Sequence, residues 1–568
     1  MKILPKPQLL KVCEGELKSR KLSIRNLCED KRIEKALACF EKGNETELLI
    51  ECKNGTDQGY TLDINEGKIV ISAESPAGAF YGIQTLKQIF EKDEIPCLHI
   101  EDKPDMSLRG FYHDVTRGKV PTVDTLKKMI DDMAYYKMNH LELYIEHTFP
   151  FKELGEDVEK FGYLTPEEIR ELDDYCFQNF IEFVPSIPTF GHLYELLEKD
   201  EYKHLQCVEN YVPDRVRFMS RMGHHTIDPK NPESIEIIKS MIDQIIPLYR
   251  TDKFNICCDE TFDSRNGKYK GEDTGALYVE FVKKIIDHLK SKGKKVMMWG
   301  DILLEHPETI KELPSDTLFL NWWYNAEPKE ETFETFHKSG GTQIVCPGTS
   351  TWLGFSESID RARQNIVNML DVAYRYDVDG MINTNWGDYG NPCSLELAMH
   401  GFVIGASKAW NKTTKADDEF KADILEVCYK NPDAVDILEQ LDKVCWLTKW
   451  NTLVWTWSKL TMGTEIGGAF ATPPTKEEID KAIEICQGII EKLSREKWIN
   501  DEYREEMMLA AEGYIVVAEL LAKVIDYKLD RISDTYAWFE KFRNRWMAKN
   551  KESEIMRIKE ILDFYENM

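Results

Sequence analysis

The sequence predicts an α/β fold: a (β/α)8 TIM barrel with an N-terminal α+β domain and a C-terminal all-helical region. Three observations predict it. Eight short apolar runs recur between residues 108 and 386, amphipathic segments separate them, and strand-like patterning stops near residue 410. Runs that are apolar along nearly their whole length suit strands covered on both faces. Eight of them with helical crossovers, over about 280 residues, is the arithmetic of a barrel. A doubly wound open sheet is the competing arrangement.

Residues 1–103 are expected to form the small α+β domain. ELLIECKNG (47–55) and GKIVISAES (67–75) read as strands, AGAFYGIQTLKQIFEK (77–92) as a helix, and IEDKPDMS (100–107) as a punctuated linker. The barrel is expected over 104–409. Its strand candidates are LRGFYHDV (108–115), HLELYIE (140–146), FVPSIPT (183–189) and FNICCDE (254–260). KVMMWGD (295–301), TLFLNWWY (317–324), TQIVCPG (342–348) and GMINTNW (380–386) complete the set.

The segments between them carry helix signals. Leu126, Met129, Ile130 and Met133 fall at three-to-four spacing, as do Ile235, Ile238, Met241, Ile242 and Ile245. Thr165-Pro166-Glu167-Glu168 is a capping box with proline at the first helical position. The helix over 275–292 stops at Gly293. Residues 410–568 read as helical, and Trp446, Trp450, Trp455 and Trp457 recur there at a spacing that predicts core packing.

Composition excludes several classes. The net charge of −27 in 568 residues leaves no phosphate-neutralising excess, so neither nucleic acid nor an anionic membrane is an expected partner. No apolar run is long enough to span a bilayer, and the first residues lack a leader pattern. Fourteen cysteines without a CxxC pair read as buried free thiols in a cytoplasmic protein. An acidic surface favours a neutral or small substrate, no cofactor is expected, and the helical region is left to complete the site, pack against the barrel or form a homodimer contact.

In such a barrel the site lies at the C-terminal ends of the strands. Polar and aromatic residues gather there: Asp259-Glu260, Trp299-Gly300-Asp301, Trp322-Trp323-Tyr324, Trp352 and Trp386-Gly387-Asp388. The first strand adds Arg109, His113 and Asp114, the second Glu142, Glu146 and His147, and the turn after the third His192. Tryptophan rings stack on the apolar faces of sugars while carboxylates and arginine bind the hydroxyls. Asp259 and Glu260 are adjacent, so they are poorly placed to flank a glycosidic bond from opposite sides. A division of labour on one side suits them better, with Glu260 as general acid and Asp259 orienting a group of the substrate. His113, His147 and His192 with Asp114 or Asp259 form a rival metal set, weakened by the lack of HxH or HExxH spacing. Cys257-Cys258 reads as small apolar packing and not as a nucleophile.

At these residues the chain resembles glycoside hydrolase family 20, the β-N-acetylhexosaminidases. SPAGAFYGIQTLKQIF (75–90), the stretch 100–144, FVPSIPTFGH (183–192), FNICCDE, VMMWGD, NWW and NTNWGD follow that family's order over about 300 residues. The resemblance implies an exo-acting retaining enzyme that releases GlcNAc or GalNAc from a small oligosaccharide or glycoside, the substrate's own acetamide attacking C1 to form an oxazoline. It implies Glu260 as acid/base and Asp259 on the acetamido nitrogen. Trp299, Trp322 and Trp386 would line the acetamide pocket, Arg109, Glu146 and Asp388 would bind hydroxyls, and His192 would support the carboxylates. Cys257-Cys258 stands where two glycines are common. Trp352-Leu353-Gly354 replaces a Tyr-Leu-Asp, removing the tyrosine expected to polarise the acetamide and leaving Trp352 as a pocket wall. An intracellular-type branch of the family fits these departures. Two alternatives stay open: a non-catalytic sugar-binding barrel, and a barrel glycosidase for sugars lacking the acetamide.

Overall fold

In the computed structural model, which describes residues 1–208, 211–223, 225–463 and 472–568, the chain opens with a six-stranded sheet. Its strands are β1 (Leu9–Glu16), β2 (Leu22–Asn26), β3 (Thr46–Cys52), β4 (Tyr60–Asn65), β5 (Lys68–Ala73) and β6 (Pro96–Asp102), in the order β1-β6-β4-β5-β3-β2. Tyr60, Leu62 and Ile64 of β4 alternate inward, the period a half-covered strand requires. The helix Pro76–Phe90, capped by Ser75, covers that face. Gly82 lets it lie close: a Cβ there would meet Ile71 Cγ2 at 2.7 Å.

All eight predicted runs become strands: β7 (Leu108–Asp114), β8 (His140–Tyr144), β9 (Glu182–Ser186), β10 (Lys253–Asn255), β11 (Lys295–Trp299), β12 (Leu318–Trp322), β13 (Thr342–Cys346) and β14 (Gly380–Asn385). They are parallel, and β14 pairs with β7, so the sheet closes and the open alternative is excluded. The barrel interior is filled by Tyr112, Val184, Met297, Leu320, Ile344 and Ile382, which makes it a packed core and not a pore. Helices Val123–Tyr135, Pro166–Gln178, Pro232–Ile245 and Thr274–Ser291 form where periodicity and caps place them. Both halves of the Thr165/Glu168 capping box are made, and Gly293 is left-handed at φ +75°.

One buried carboxylate joins the parts at the lower end of the barrel. Asp102, the last residue of β6, accepts from Tyr60 Oη (2.7 Å), Lys137 Nζ (3.0 Å), Trp410 Nε1 (2.9 Å) and the Gln8 N–H (3.1 Å). Asp102 and Lys137 have no exposed side-chain surface. Beside this pair lies Arg109, the second residue of β7 and itself fully buried. Its guanidinium donates to the carbonyls of Lys137, Met106 and Ser107 and to Gln58, and lies over the rings of Tyr81 and Trp410.

Beyond Trp410 the described structure is helical, including Ala434–Leu447, Trp450–Met462, Asp501–Val524 and Ile555–Glu566. This region docks through buried polar contacts. Tyr514 Oη accepts from the Phe355 and Ser356 N–H groups, and Glu554 pairs with Arg221, which also holds Glu195. Trp450 is buried as expected and donates to the Tyr389 carbonyl, and Trp455 and Trp457 pack half-buried against the core. Trp446 departs from the expectation: it is 42% exposed, at the last turn of its helix. The cysteine expectation also needs correcting. Cys28 and Cys52 form a disulfide because parallel β2 and β3 bring their C-terminal ends together, and Cys13 and Cys39 are exposed. No helix among the described residues is long and apolar enough to cross a membrane.

Removing one partner of a buried ion pair strands the other charge, at about 3–5 kcal/mol. Asp102→Asn is therefore expected to lower the unfolding free energy by about 3 kcal/mol, read from denaturant midpoints against the wild type.

Candidate active site

The fourth barrel strand ends early, and that break builds the site. β10 is three residues long. After it Cys257, Cys258 and Glu260 take positive φ values of 56°, 65° and 50°. Left-handed backbone at a non-glycine residue costs about 1–3 kcal/mol and persists only where surroundings over-determine it. Here they do. Asn255 Oδ1 accepts from the Cys257 N–H, the Cys257 carbonyl accepts from the Trp299 N–H, the Cys258 carbonyl from Tyr278 Oη, and Asp301 Oδ2 from the Glu260 N–H. The conformation explains why glycine would be at home at 257 and 258. Both thiols are buried, and burial raises their pKa, which suits packing and not attack.

The turn delivers Asp259 and Glu260 to the same side. His192, buried and left-handed at φ 57°, places Nε2 at 3.4 Å from Asp259 Oδ2 and 3.4 Å from Glu260 Oε2. Burial opposes the imidazolium, but Asp259 and then Glu260 outweigh it and raise the His192 pKa to about 10. Asp301 lies beneath the pair, and burial together with the Asp259 charge lifts its pKa to about 8. Asp259 Oδ1 is buried with no hydrogen-bond partner among the described residues, and so is Trp299 Nε1. An unsatisfied buried polar atom costs about 1–3 kcal/mol, so both are poised to take a ligand's polar groups. His192, Asp259 and Glu260 also offer ligand atoms within 4.8 Å of one another, so these three could hold a cation. The rival histidine set does not assemble: His113 turns away from the pocket to Asn385, at 3.0 Å.

Across the pocket stands a charge cluster centred on Arg117, which the sequence reasoning missed. Its guanidinium is 3.5 Å from Asp114, 3.3 Å from Glu146 and 3.5 Å from Asp388, between the rings of Tyr144 and Trp386. Asp114 fixes the turn, accepting from the Thr116, Arg117 and Gly387 N–H groups. Burial works against the Glu146 charge, yet Arg117 and the neighbouring histidines bring its pKa down to about 2. At Asp388 burial prevails over Arg117, and the pKa rises to about 7.

Arg109 is corrected by this geometry. At the start of β7 it sits on the lower seam, a strand's length from the pocket, while Arg117 follows the strand's C-terminal end. The signal that could have separated them is position along the strand, since only residues at or beyond its C-terminal end reach this face.

Aromatic rings close the pocket. Trp299 is buried with its ring 5.2 Å from Tyr112 and 6.0 Å from Trp386. Trp322 stacks on Tyr324 at 5.1 Å, and Tyr324 meets Trp352 at 5.2 Å. Trp386 Nε1 donates to Tyr324 Oη at 2.7 Å. The structure thus brings Glu146, His192, Asp259, Glu260, Trp299, Trp322, Trp352, Trp386 and Asp388 to one end of the barrel, and adds Arg117, Asp301 and Tyr324. Tyr324, which the sequence placed in the strand-end run Trp322-Trp323-Tyr324 without a role, stands with its hydroxyl beside Trp386.

The folded pKa of His192 lies above its ordinary value of 6.5, so its contribution is fully present below about pH 6.5 and is lost as pH rises towards 10. Melting temperature of the wild type should therefore fall between neutral pH and pH 10, relative to His192→Gln measured in the same buffers.

Comparison with known proteins bears on this site. Residues 107–425 match the glycosyl hydrolase family 20 catalytic domain, and residues 1–103 match that family's domain 2. A β-hexosaminidase of Porphyromonas gingivalis is 25% identical over 287 residues, 44% of this chain and 36% of the relative. A lacto-N-biosidase of Bifidobacterium bifidum is 22% identical over 306 residues, 51% of this chain and 26% of the relative. The matched stretch thus spans well under two thirds of these relatives' own length. Among solved structures, a Flavobacterium johnsoniae chitobiase superposes with TM-score 0.64 at 20% identity, covering 99% of each chain, which shows a shared fold. With the catalytic-domain match alone taking in more than half of its residues, the chain belongs to glycosyl hydrolase family 20.

Proposed function

We propose that this protein is an exo-acting, retaining β-N-acetylhexosaminidase that removes terminal GlcNAc or GalNAc from short oligosaccharides by substrate-assisted catalysis. The observation that carries the reading is the pair Asp259 and Glu260. They share one side and one histidine, and Asp259 Oδ1 is buried and unpartnered. Carboxylates so placed cannot flank a glycosidic bond as the usual two-carboxylate schemes require. They can serve one sugar from one side. Asp259 Oδ1 accepts the acetamido N–H, which turns the acetamide carbonyl oxygen toward C1. That oxygen forms a bond to C1 as the C1–O bond to the leaving group breaks, and Glu260 gives its proton to the departing oxygen. Water then opens the oxazoline at C1 and returns a proton to Glu260.

The rest of the pocket supports the same reading. The rings of Trp299, Trp322 and Trp386 offer apolar surface at the strand ends for packing an acetamide methyl, and Tyr324 Oη stands beside Trp386. That hydroxyl, brought in by β12, supplies the polar group that Trp352 cannot. Arg117, held by Glu146 and Asp388, faces the pocket as the hydroxyl-binding clamp, the role first given to Arg109. The assay is hydrolysis of nitrophenyl β-GlcNAc, β-GalNAc, β-glucoside and β-galactoside. Turnover confined to the two acetamido sugars, unchanged by chelator, supports the proposal. Binding of GlcNAc without turnover would favour the non-catalytic alternative, and faster cleavage of the plain hexosides the third reading.

Glu260→Gln is expected to lower kcat/KM by roughly 10²–10⁴ on substrates with a poor leaving group, and Asp259→Asn to fail in the same step. Tyr324→Phe, which removes one hydrogen bond to the reacting acetamide, is expected to cost about tenfold in kcat/KM.

A further inference from the structure

The pocket's aromatic wall continues outward onto the helical region, where it meets two cations that the proposed chemistry does not use. Arg361, in the first turn of the helix Ile359–Arg375, lies 5.6 Å from the Trp352 ring and 5.9 Å from the Trp446 ring. Its Nε donates to the Tyr324 carbonyl and its Nη2 to Asn325 Oδ1. Lys449 covers Trp446 from the other segment, with Nζ 4.8 Å from the ring and 3.3 Å from the Trp446 carbonyl. Both cations are half-buried, and among the described residues neither has a carboxylate within 4 Å. The acid that acts on Arg361, Asp442, is occupied by Ser358 Oγ and the Asp360 N–H, and the one that acts on Lys449, Glu478, is taken up by the Thr475 N–H in a capping box. Trp446 is fixed by its own Nε1, which donates to Ser358 Oγ at 2.9 Å, yet it remains 42% exposed.

A chain of net charge −27 has carboxylates in excess, and half-buried cations elsewhere are paired with them, as Lys199 with Asp157, or Lys549 with Glu396 and Glu506. Two without a carboxylate within 4 Å, both beside an exposed tryptophan and one ring away from the proposed sugar site, call for an anion from outside. An aromatic face with adjacent guanidinium and ammonium donors recognises a pyranose carrying a negative group, stacking on the ring and binding the charge. The geometry points to a second saccharide subsite, formed by Trp352, Arg361, Trp446 and Lys449 on the leaving-group side, that takes a sugar with a sulfate ester or carboxylate substituent. It rests on the sugar-cleaving reading of the adjoining pocket.

The test compares kcat/KM for N,N′-diacetylchitobiose, its sulfate ester on the reducing residue, and N-acetylglucosaminyl-glucuronic acid, with methyl β-GlcNAc as the substrate whose leaving group is too small to reach the subsite. One charge-assisted contact is worth roughly a tenfold preference for an anionic disaccharide over the neutral one at low salt, shrinking as salt is added. Preference for the sulfate ester alone or the glucuronate alone identifies the source of the charge. Lys449→Met and Arg361→Gln should each bring that ratio towards one, and Trp446→Ala should weaken all three disaccharides relative to the methyl glycoside. A wild-type ratio of one, or variants that keep the preference, overturns the subsite. If nitrophenyl β-GlcNAc is not turned over, the sugar-cleaving reading fails by itself. The subsite is then judged by tryptophan fluorescence, with N-acetylglucosamine sulfate titrated against N-acetylglucosamine in wild type and Trp446→Phe. Equal responses to the two sugars overturn it.

Discussion

The site depends on one backbone constraint, the left-handed turn that ends β10 after three residues. A strand carried on through FNICCDE would send Asp259 and Glu260 to opposite faces, because side chains alternate along a strand. With Cys257, Cys258 and Glu260 at positive φ, the chain leaves the barrel wall, and the two carboxylates turn to the same histidine. The cost of that conformation is offset by hydrogen bonds from the next strand and its helix, through Trp299, Asp301 and Tyr278. The acidic pair is therefore held by its neighbours and not by its own strand.

A second constraint is the way the two ends of the barrel divide their arginines. Arg109 and Arg117 flank the same strand, and both are buried among aromatic rings. Arg109 spends its donors on backbone carbonyls in the seam that also holds the Asp102–Lys137 pair, so its charge serves the docking of the N-terminal sheet. Arg117 pairs with three carboxylates between two aromatic rings, and the carboxylates set its geometry and are set by it: Glu146 is held ionised, while Asp388, more weakly compensated, has its pKa near neutrality. Under the proposed function, a clamp with one firm and one adaptable carboxylate would exchange hydrogen bonds with sugar hydroxyls without stranding a buried charge.

How much was legible follows from the same particulars. The eight strands were readable because buried parallel strands are apolar along their whole length, and the helices between them because Leu126, Met129, Ile130 and Met133, or the Thr165 capping box, carry local signals. Asp259, Glu260, His192 and the strand-end tryptophans were readable because the barrel makes strand ends the working face. Arg117 was missed because a loop arginine has no pattern of its own. Tyr324 was seen in the strand-end aromatic run but given no role, because the family resemblance directed attention to position 352 and only the fold sets its hydroxyl beside Trp386. Trp446 was read as core from helical spacing, which places a residue on a face without saying what that face meets.

The sequence by itself determined the fold, the family and the acidic pair, since each rests on local periodicity or on motifs contiguous along the chain. Tertiary structure decided which arginine faces the pocket, which tyrosine stands beside Trp386, that Cys28 meets Cys52, and that Trp446 stays at the surface. Those are contacts between residues tens to hundreds of positions apart, and their energies depend on distance and burial in space, quantities that exist only once the barrel has closed and the helical region has docked.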